Sequence, residues 1–382
     1  MKRLAILIFS FSKLLTHAQT TVPGVIGQDD RNRTITTAVP FLTITPDARA
    51  AAMGDAGVAT SADVNSAYWN SAKLAFTEDK AGIGLSYTPW LAKIINDMYV
   101  FYLSGYYKIS REQTVGVSMK YFDMGTVDLR SGNNEPVGTH NPRDFAMDVT
   151  YSRLLSENLS IGGSIRFIYS NLIGANAAPD TRPGKSVAVD MGIYYNKPLV
   201  NQNANLSLGA SISNIGAKMS YSNADVKDFI PGNLRLGGAY QIEVGPSNSF
   251  TFVADLNKLL VPSPEANQSQ RSKSLLSGVF GSLGDAPGGF SEEIREIMIS
   301  SGVEYWYNKT FAGRLGYFNE AYDKGNRKYI TAGVGFKKDL FGLDVAYMVP
   351  INKRENALAE TIRFTLIFTP RLKNNQEVEE AP

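Results

Sequence analysis

Apolar side chains recur at every second position through most of this chain from residue 81 onward. Ile330, Ala332, Val334 and Phe336 alternate with Thr331, Gly333, Gly335 and Lys337. Ile362, Phe364, Leu366 and Phe368 alternate with Thr361, Arg363 and Thr365. Ile161, Ile165, Phe167 and Tyr169 stand with Gly163 opposite Ser160, Gly162, Ser164 and Arg166. Successive side chains of an extended strand point to opposite faces, so each segment has one apolar and one polar side. The pattern predicts fourteen strands, over residues 81–90, 96–110, 113–131, 143–156, 158–173, 186–199, 204–222, 232–245, 248–263, 298–310, 311–320, 327–337, 340–350 and 358–370. Soluble sheets average ~5–6 residues per strand, whereas a tilted strand needs ~9–11 to cross a bilayer, and these have that length.

The connections alternate in length. Ser110-Arg111-Glu112, Ser156-Glu157-Asn158, Gly245-Pro246-Ser247-Asn248, Asn308-Lys309 and Lys338-Asp339 are short and rich in turn formers. Between them fall long links at 123–142, 171–185, 214–231 and 262–297, and Pro198 to Ala204 is an intermediate case. That rhythm belongs to outer-membrane barrels, with short periplasmic turns and longer extracellular loops. The expected fold is therefore all-β: a 14-stranded antiparallel outer-membrane β-barrel over 81–370, both termini periplasmic. A soluble sandwich also alternates, but it predicts neither such long strands nor this loop rhythm. No stretch supplies the ~18 consecutive apolar residues of a transmembrane helix. The tyrosines near strand ends, among them Tyr87, Tyr107, Tyr169 and Tyr347, suit aromatic girdles and suit ordinary strands equally well.

The first eighty residues read differently. Met1-Lys2-Arg3, apolar Leu4 to Phe11 and Thr16-His17-Ala18 form the layout of a signal peptide over 1–18, interrupted slightly by Lys13. Residues 19–80 lack the alternation. Asp47 to Gly57 is rich in small residues and Asn65 to Phe76 is polar and aromatic, which suits a plug of short helices and turns inside the barrel. At the other end, 371–382 closes on Glu377-Val378-Glu379-Glu380 and reads as a solvated periplasmic tail, with Phe368 closing the last strand.

If the apolar set faces lipid, the lumen receives Lys120, Asp148, Arg166, Asp190, Arg235, Asp255, Glu304, Arg314, Asp344 and Arg363. Mixed signs argue for an ion-paired interior that seats the plug rather than an ion-selective filter. A near-balanced 38 basic and 36 acidic residues give no reason to expect a nucleic-acid partner. Zero cysteine removes disulfides and thiol chemistry, and two histidines leave almost no acid–base design. His140, the histidine left after signal removal, sits beside Asn141-Pro142 as in a turn, and no Gly-x-Ser-x-Gly elbow occurs. The one Ser-x-x-Lys noted, Ser10 to Lys13, falls in the signal peptide. No catalytic residue, metal site or cofactor is expected, and the chain reads as no enzyme.

The longest link, 262–297, is an extracellular loop unlike the rest. Leu275, Leu276, Val279 and Phe280 form an apolar, flexible run, Phe290 follows Gly288-Gly289, and Ser291 to Ile297 reads as a short helix capped by Ser291 with acids in its first turn. Exposed apolar loops mark either an interaction surface or a lid tucked into the barrel mouth. Leu275, Leu276, Val279, Phe280 and Phe290 are the expected partner-binding residues.

Two runs carry a family resemblance: Ala48-Arg49-Ala50-Ala51-Ala52-Met53-Gly54-Asp55-Ala56-Gly57-Val58-Ala59, and Ala67-Tyr68-Trp69-Asn70-Ser71-Ala72-Lys73-Leu74-Ala75. Together they resemble the N-terminal region of the PorV family, outer-membrane proteins of the Bacteroidetes type IX secretion system within the FadL-like barrel superfamily. The resemblance implies a role in protein secretion. The implied partners are secreted cargo proteins with C-terminal signal domains, a SprA-type translocon barrel and a PorU-type sortase of the cell-surface attachment complex, in outer-membrane lipid. FadL-like chains usually read Asn-Pro-Ala where this one has Asn70-Ser71-Ala72. The alternative that the superfamily offers is a channel for hydrophobic small molecules.

Overall fold

The computed structural model describes residues 33–91, 97–172, 180–222, 226–264, 270–351 and 361–370. The expected signal peptide, residues 19–32 of the expected plug, with the periplasmic placement of the N-terminus, and the tail at 371–382 lie outside the described residues.

Alternation produces what it predicts. The barrel strands are β1 (Ala81–Pro89), β2 (Met98–Lys108), β3 (Gln113–Met124), β6 (Arg143–Ser156), β7 (Leu159–Asn171), β8 (Gly184–Leu199), β9 (Ala204–Gly216), β10 (Asn233–Val244), β11 (Asn248–Leu259), β12 (Ile297–Tyr307), β13 (Phe311–Asn319), β14 (Lys328–Lys338), β15 (Phe341–Pro350) and β16 (Ile362–Phe368). Each pairs antiparallel with its neighbour, and β16 returns to β1 with Ile83 opposite Phe368 and Tyr87 opposite Phe364. Fourteen strands thus close a barrel with no free edge, the condition a sheet must meet in hydrocarbon. Ile83, Val117, Ile165, Met191, Val334 and their like face out, and all ten predicted lumenal charges are buried.

Several strands end sooner than the periodicity predicts, two of them by six residues or more. β3 stops at Met124 rather than 131, and β9 at Gly216 rather than 222. Val127 and Leu129 do continue the alternation, but they belong to a separate hairpin of β4 (Val127–Arg130) and β5 (Pro136–His140) that stands on the rim. Gly125, at φ 75°, breaks the chain between them. His140 therefore ends a rim strand instead of lying in a turn.

One end of the barrel carries only short turns, at 109–112, 157–158, 200–203, 245–247, 308–310 and 339–340. Asn203, Asn308 and Asp339 adopt the left-handed conformation those turns require. The expected exception at Pro198 to Ala204 is a four-residue turn at 200–203, between Leu199 of β8 and Ala204 of β9. All the long links gather at the opposite end.

Residues 33–80 thread the lumen lengthwise. At the long-loop end, Arg33 N–H donates to Asp323 and Ala38 N–H to Phe229, while at the short-turn end Lys80 accepts from Lys108 N–H. Between these points lie α1 (Ala48–Ala51), α2 (Ser66–Trp69) and a 3-10 turn at Ser71–Phe76. The small-residue run has a physical reason: it packs against bare strand backbone. Met53 and Gly54 press on a window formed by cross-strand partners Gly302 and Gly316, and a Cβ on Gly316 would sit 2.0 Å from the Gly54 nitrogen. These strand glycines serve the close approach of the plug backbone. Thr331 Oγ1 accepts from Gly54 N–H and donates to the Ala52 carbonyl, 2.9 Å each. Asp255 takes both the Gly57 and Val58 N–H groups, at 2.7 and 2.9 Å.

The second run docks lower. Asn70 caps the 3-10 turn by accepting from Ala72 N–H and donates to the Ile193 carbonyl at 2.9 Å. Ser71 occupies the first position of that turn, where a proline would need no N–H partner, so serine leaves the geometry intact. Ser152 and Ser160 both donate to the Ala72 carbonyl, at 2.9 and 2.7 Å.

Charge completes the fit. Arg49 makes a bidentate contact with Glu304, at 2.8 and 2.9 Å, and reaches Asp63; Glu304 continues to Arg314 at 2.7 Å and Arg314 to Asp344 at 2.6 Å. Arg166, on β7, bridges Asp148 on β6, Asp190 on β8 and Asn214 on β9. Within the plug, burial pushes Lys73 down to about 8 despite nearby Asp63. Its ammonium donates to the Gly57 carbonyl and Thr60 Oγ1. Burial and the Asp63 charge push Asp47 up to about 6, against bonds from Ala50 N–H and Trp69 Nε1.

Candidate functional site

Over the long-loop end, residues 260–264 and 270–296 build a platform with α3 (Leu275–Gly281) and α4 (Phe290–Arg295). Ser274 caps α3, its Oγ accepting from Ser277 N–H at 3.4 Å. Helix α4 begins one residue earlier than predicted. Gly289, at φ 68°, is its N-cap, so Ser291 sits inside the first turn and accepts from Arg295 instead of capping. Glu292 and Glu293 do occupy that first turn.

Those acids do more than complement a helix dipole. Glu292 and Glu296, one turn apart, are buried beneath α4 and meet Lys324 at 2.6 and 2.9 Å. Lys258, at the top of β11, pairs with Glu296 and Glu293, each at 2.7 Å, and Arg33 closes on Glu292 at 2.7 Å. Burial alone would raise the Glu292 carboxyl; the hydrogen bond and charge from Lys324, Gly288 N–H and Arg33 outweigh it and hold its pKa below the ordinary value. An ionic foundation of this kind has demanding geometry, because removing one partner strands a buried charge. It fixes the height and tilt of the platform.

The α3 side is tied to the loop at 217–232. Lys218 donates to the Arg271 and Lys273 carbonyls and lies 4.6 Å over the Phe229 ring, and Arg271 pairs with Asp228 at 2.6 Å. Gly278 lies against Phe229, where a Cβ would come within 2.4 Å of the ring.

With polar groups committed below, the upper face is apolar. Phe290 is 80% exposed, Phe280 70% and Leu276 63%, and Leu283, Ile294 and Tyr322 are also exposed in the same pair of loops. The structure thus divides the five predicted residues. Leu276, Phe280 and Phe290 face solvent, Leu275 is half-buried, and Val279, only 7% exposed, points down into the platform. Lys258, Lys324, Glu292 and Glu296 were not singled out from sequence. The one available signal was the i,i+4 pair of acids on a helix whose other positions, Phe290 and Ile294, are apolar.

Beneath the platform a cavity of about 70 Å³ is lined by Thr43, Asp55, Trp69, Arg235, Arg327 and Tyr329 among others. Tyr329 donates to Asp55, and Arg235 stacks 5.1 and 5.3 Å from the Tyr68 and Trp69 rings. Among the described residues no three acids or histidines converge as a metal site would need.

A closed, plugged barrel of fourteen antiparallel strands with long loops at one end defines an outer-membrane protein with the FadL-like fold. Solved structures agree at the level of fold. The P. putida toluene transporter TodX matches with a TM-score of 0.51 and 11% identity over 86% of this chain and 99% of that one. The monoaromatic hydrocarbon channel CymD matches at 0.50 and 12%, over 87% and 98%. No curated protein matches the chain. The family model of the type IX secretion system protein PorV matches residues 27–266. The chain belongs to that family, and it is an outer-membrane component of a type IX secretion system.

Proposed function

We propose that this barrel receives secreted cargo bearing a C-terminal signal domain as it leaves a SprA-type translocon and delivers it to an attachment complex containing a PorU-type sortase. In this reading the long loops are extracellular and the α3–α4 platform is the contact surface. The observation that carries it is the inversion within one loop: charged groups buried as a foundation, large apolar groups held in water. Exposed aromatic and aliphatic side chains cost solvation unless a partner covers them, and such anchors dominate binding energy at interfaces.

The second reading is a conduit for hydrophobic small molecules, favoured by the fold shared with hydrocarbon channels. Against it stands the size of the cavity beneath the platform: at about 70 Å³, with Asp55, Arg235 and Arg327 set among its aromatic and apolar lining, it falls well short of the ~150 Å³ that accommodates benzene in a protein core. The two separate in one experiment. Leu276, Phe280 and Phe290 are changed together to serine, with Val279 left in place because it supports the platform. Affinity purification from gently solubilised outer membranes should then recover a folded barrel without cargo or translocon. Unchanged recovery of both would reject the platform as the contact, and bound hydrophobic ligand without protein partners would favour the conduit.

A further inference from the structure

A second surface at the long-loop end has a chemistry unrelated to the platform. The outward face of the β7–β8 pair reads in ordered steps toward the rim: Ile165 opposite Val189, Phe167 opposite Val187, then Tyr169 opposite Lys185. Each step advances ~6.6 Å along the strands. The first two rungs are apolar and exposed, as a lipid-facing wall must be. The third is a tyrosine beside a cation, the pairing expected where hydrocarbon gives way to headgroups.

Just beyond that rung is a pocket of about 520 Å³, lined by Tyr169, Arg182, Pro183, Lys185, Lys218, Ser220 and Lys227. Four of the seven residues are cationic and none is acidic. The loops bring them together by a bridge between Thr181 and Ser222 and by Arg182 N–H donating to the Tyr221 carbonyl at 3.0 Å. Lys218 is fixed by its two carbonyl partners. The side chains of Arg182, Lys185 and Lys227 form no ion pair with a carboxylate among the described residues and are free to meet an anion. Like charges gathered in one concavity repel each other, so the arrangement gains stability when an anion occupies it.

We propose that this pocket binds the phosphate of a membrane lipid headgroup in the leaflet at the long-loop end, with the acyl chains lying against Phe167 and Val187. Height decides the source of the phosphate. A site for a free anion has no need of an apolar wall directly below it, whereas a lipid presents phosphate and acyl chain at just this separation. Arg182 supplies a planar fork for two phosphate oxygens, Lys185 and Lys227 supply point charges, and the Tyr169 ring spans the boundary. Basic pockets at membrane-protein rims recognise headgroups in this way, and each cation near the surface contributes about a fivefold change in affinity.

The test uses the full-length chain in neutral detergent, with phosphatidic acid and diacylglycerol of identical acyl chains as probes. Bound lipid is counted by native mass spectrometry. Wild type should retain phosphatidic acid and not diacylglycerol. The combined variant Arg182→Gln, Lys185→Gln and Lys227→Gln should weaken phosphatidic acid binding on the order of a hundredfold, since three cations are removed. All three side chains lie at the surface, and heat-modifiable electrophoretic migration verifies that the variant barrel is folded. Equal retention by wild type and variant, or equal retention of the two lipids, overturns the proposal. Displacement by inorganic phosphate at the same concentration as the lipid also overturns it, by assigning the pocket to the free anion.

Discussion

The plug and the platform are both built from short helices and loops, yet they spend their polar and apolar groups in opposite ways. In the plug, the small residues of 48–57 lie against strand backbone and the charges of Arg49 and Glu304 are paired inside the lumen, so nothing apolar is left over. In the platform, Glu292, Glu296, Lys258 and Lys324 are paired underneath while Leu276, Phe280 and Phe290 stay in water. The first arrangement is finished within the chain. The second is paired only below, and Leu276, Phe280 and Phe290 are left in water above.

That contrast can be broken from the plug side with the largest effect. Glu304→Ala leaves both Arg49 and Arg314 without their shared carboxylate, and should destabilise the folded barrel by about 3–5 kcal/mol in urea titration followed by tryptophan fluorescence. Gly316→Val drives a side chain into the Met53–Gly54 backbone and should cost about 3 kcal/mol while exposing the plug to added protease. A loss under 1 kcal/mol in either variant would mean that the plug is not seated as described.

A smaller effect sharpens the account of burial. Asp47 has a folded pKa of about 6 against an ordinary 3.8, so the folded chain holds its proton more tightly than the unfolded one. Its contribution to stability therefore falls as pH rises through that window. Asp47→Asn should flatten the slope, by roughly 2 kcal/mol between pH about 4 and pH about 7, in the same titration repeated across pH. Parallel wild-type and variant profiles would place Asp47 in solvent.

The smallest effect on the barrel belongs to the platform surface. Leu276, Phe280 and Phe290 changed to serine should shift stability by no more than about 0.5 kcal/mol each, since their side chains contribute little folded contact. Glu296→Ala should differ: by taking one of two carboxylate partners from each of Lys258 and Lys324 it loosens the platform and lowers partner recovery with all the apolar residues intact. Partner recovery equal to wild type in the Glu296 variant would show that the foundation does not set the surface.

Sequence carried the barrel further than it carried the site. Strand number and facing were legible because lipid on one side and a polar lumen on the other impose the period on every strand. The overshoot of β3 to 131 came from Val127 and Leu129, which alternate on their own hairpin and give no sign that the pairing partner has changed. The meaning of the glycines was hidden for a related reason. Gly302 and Gly316 lie in different strands, and only the register of β12 against β13 makes them one window. In the platform, the apolar residues could be named from composition, but which of them face out depends on where Lys324 and Lys258 hold the underside. Lys258 comes from the end of β11 and Lys324 from the link between β13 and β14, so composition alone groups the buried Val279 with the exposed residues.

The central claim is that a partner protein meets the apolar upper face of the platform. A photo-cross-linking side chain introduced at Phe280, with lipid-facing Met191 as the reference position, tests this in living cells. Protein adducts from position 280 and none from position 191 are the predicted result. A folded, secretion-competent barrel that yields no protein adduct at 280 would contradict the account.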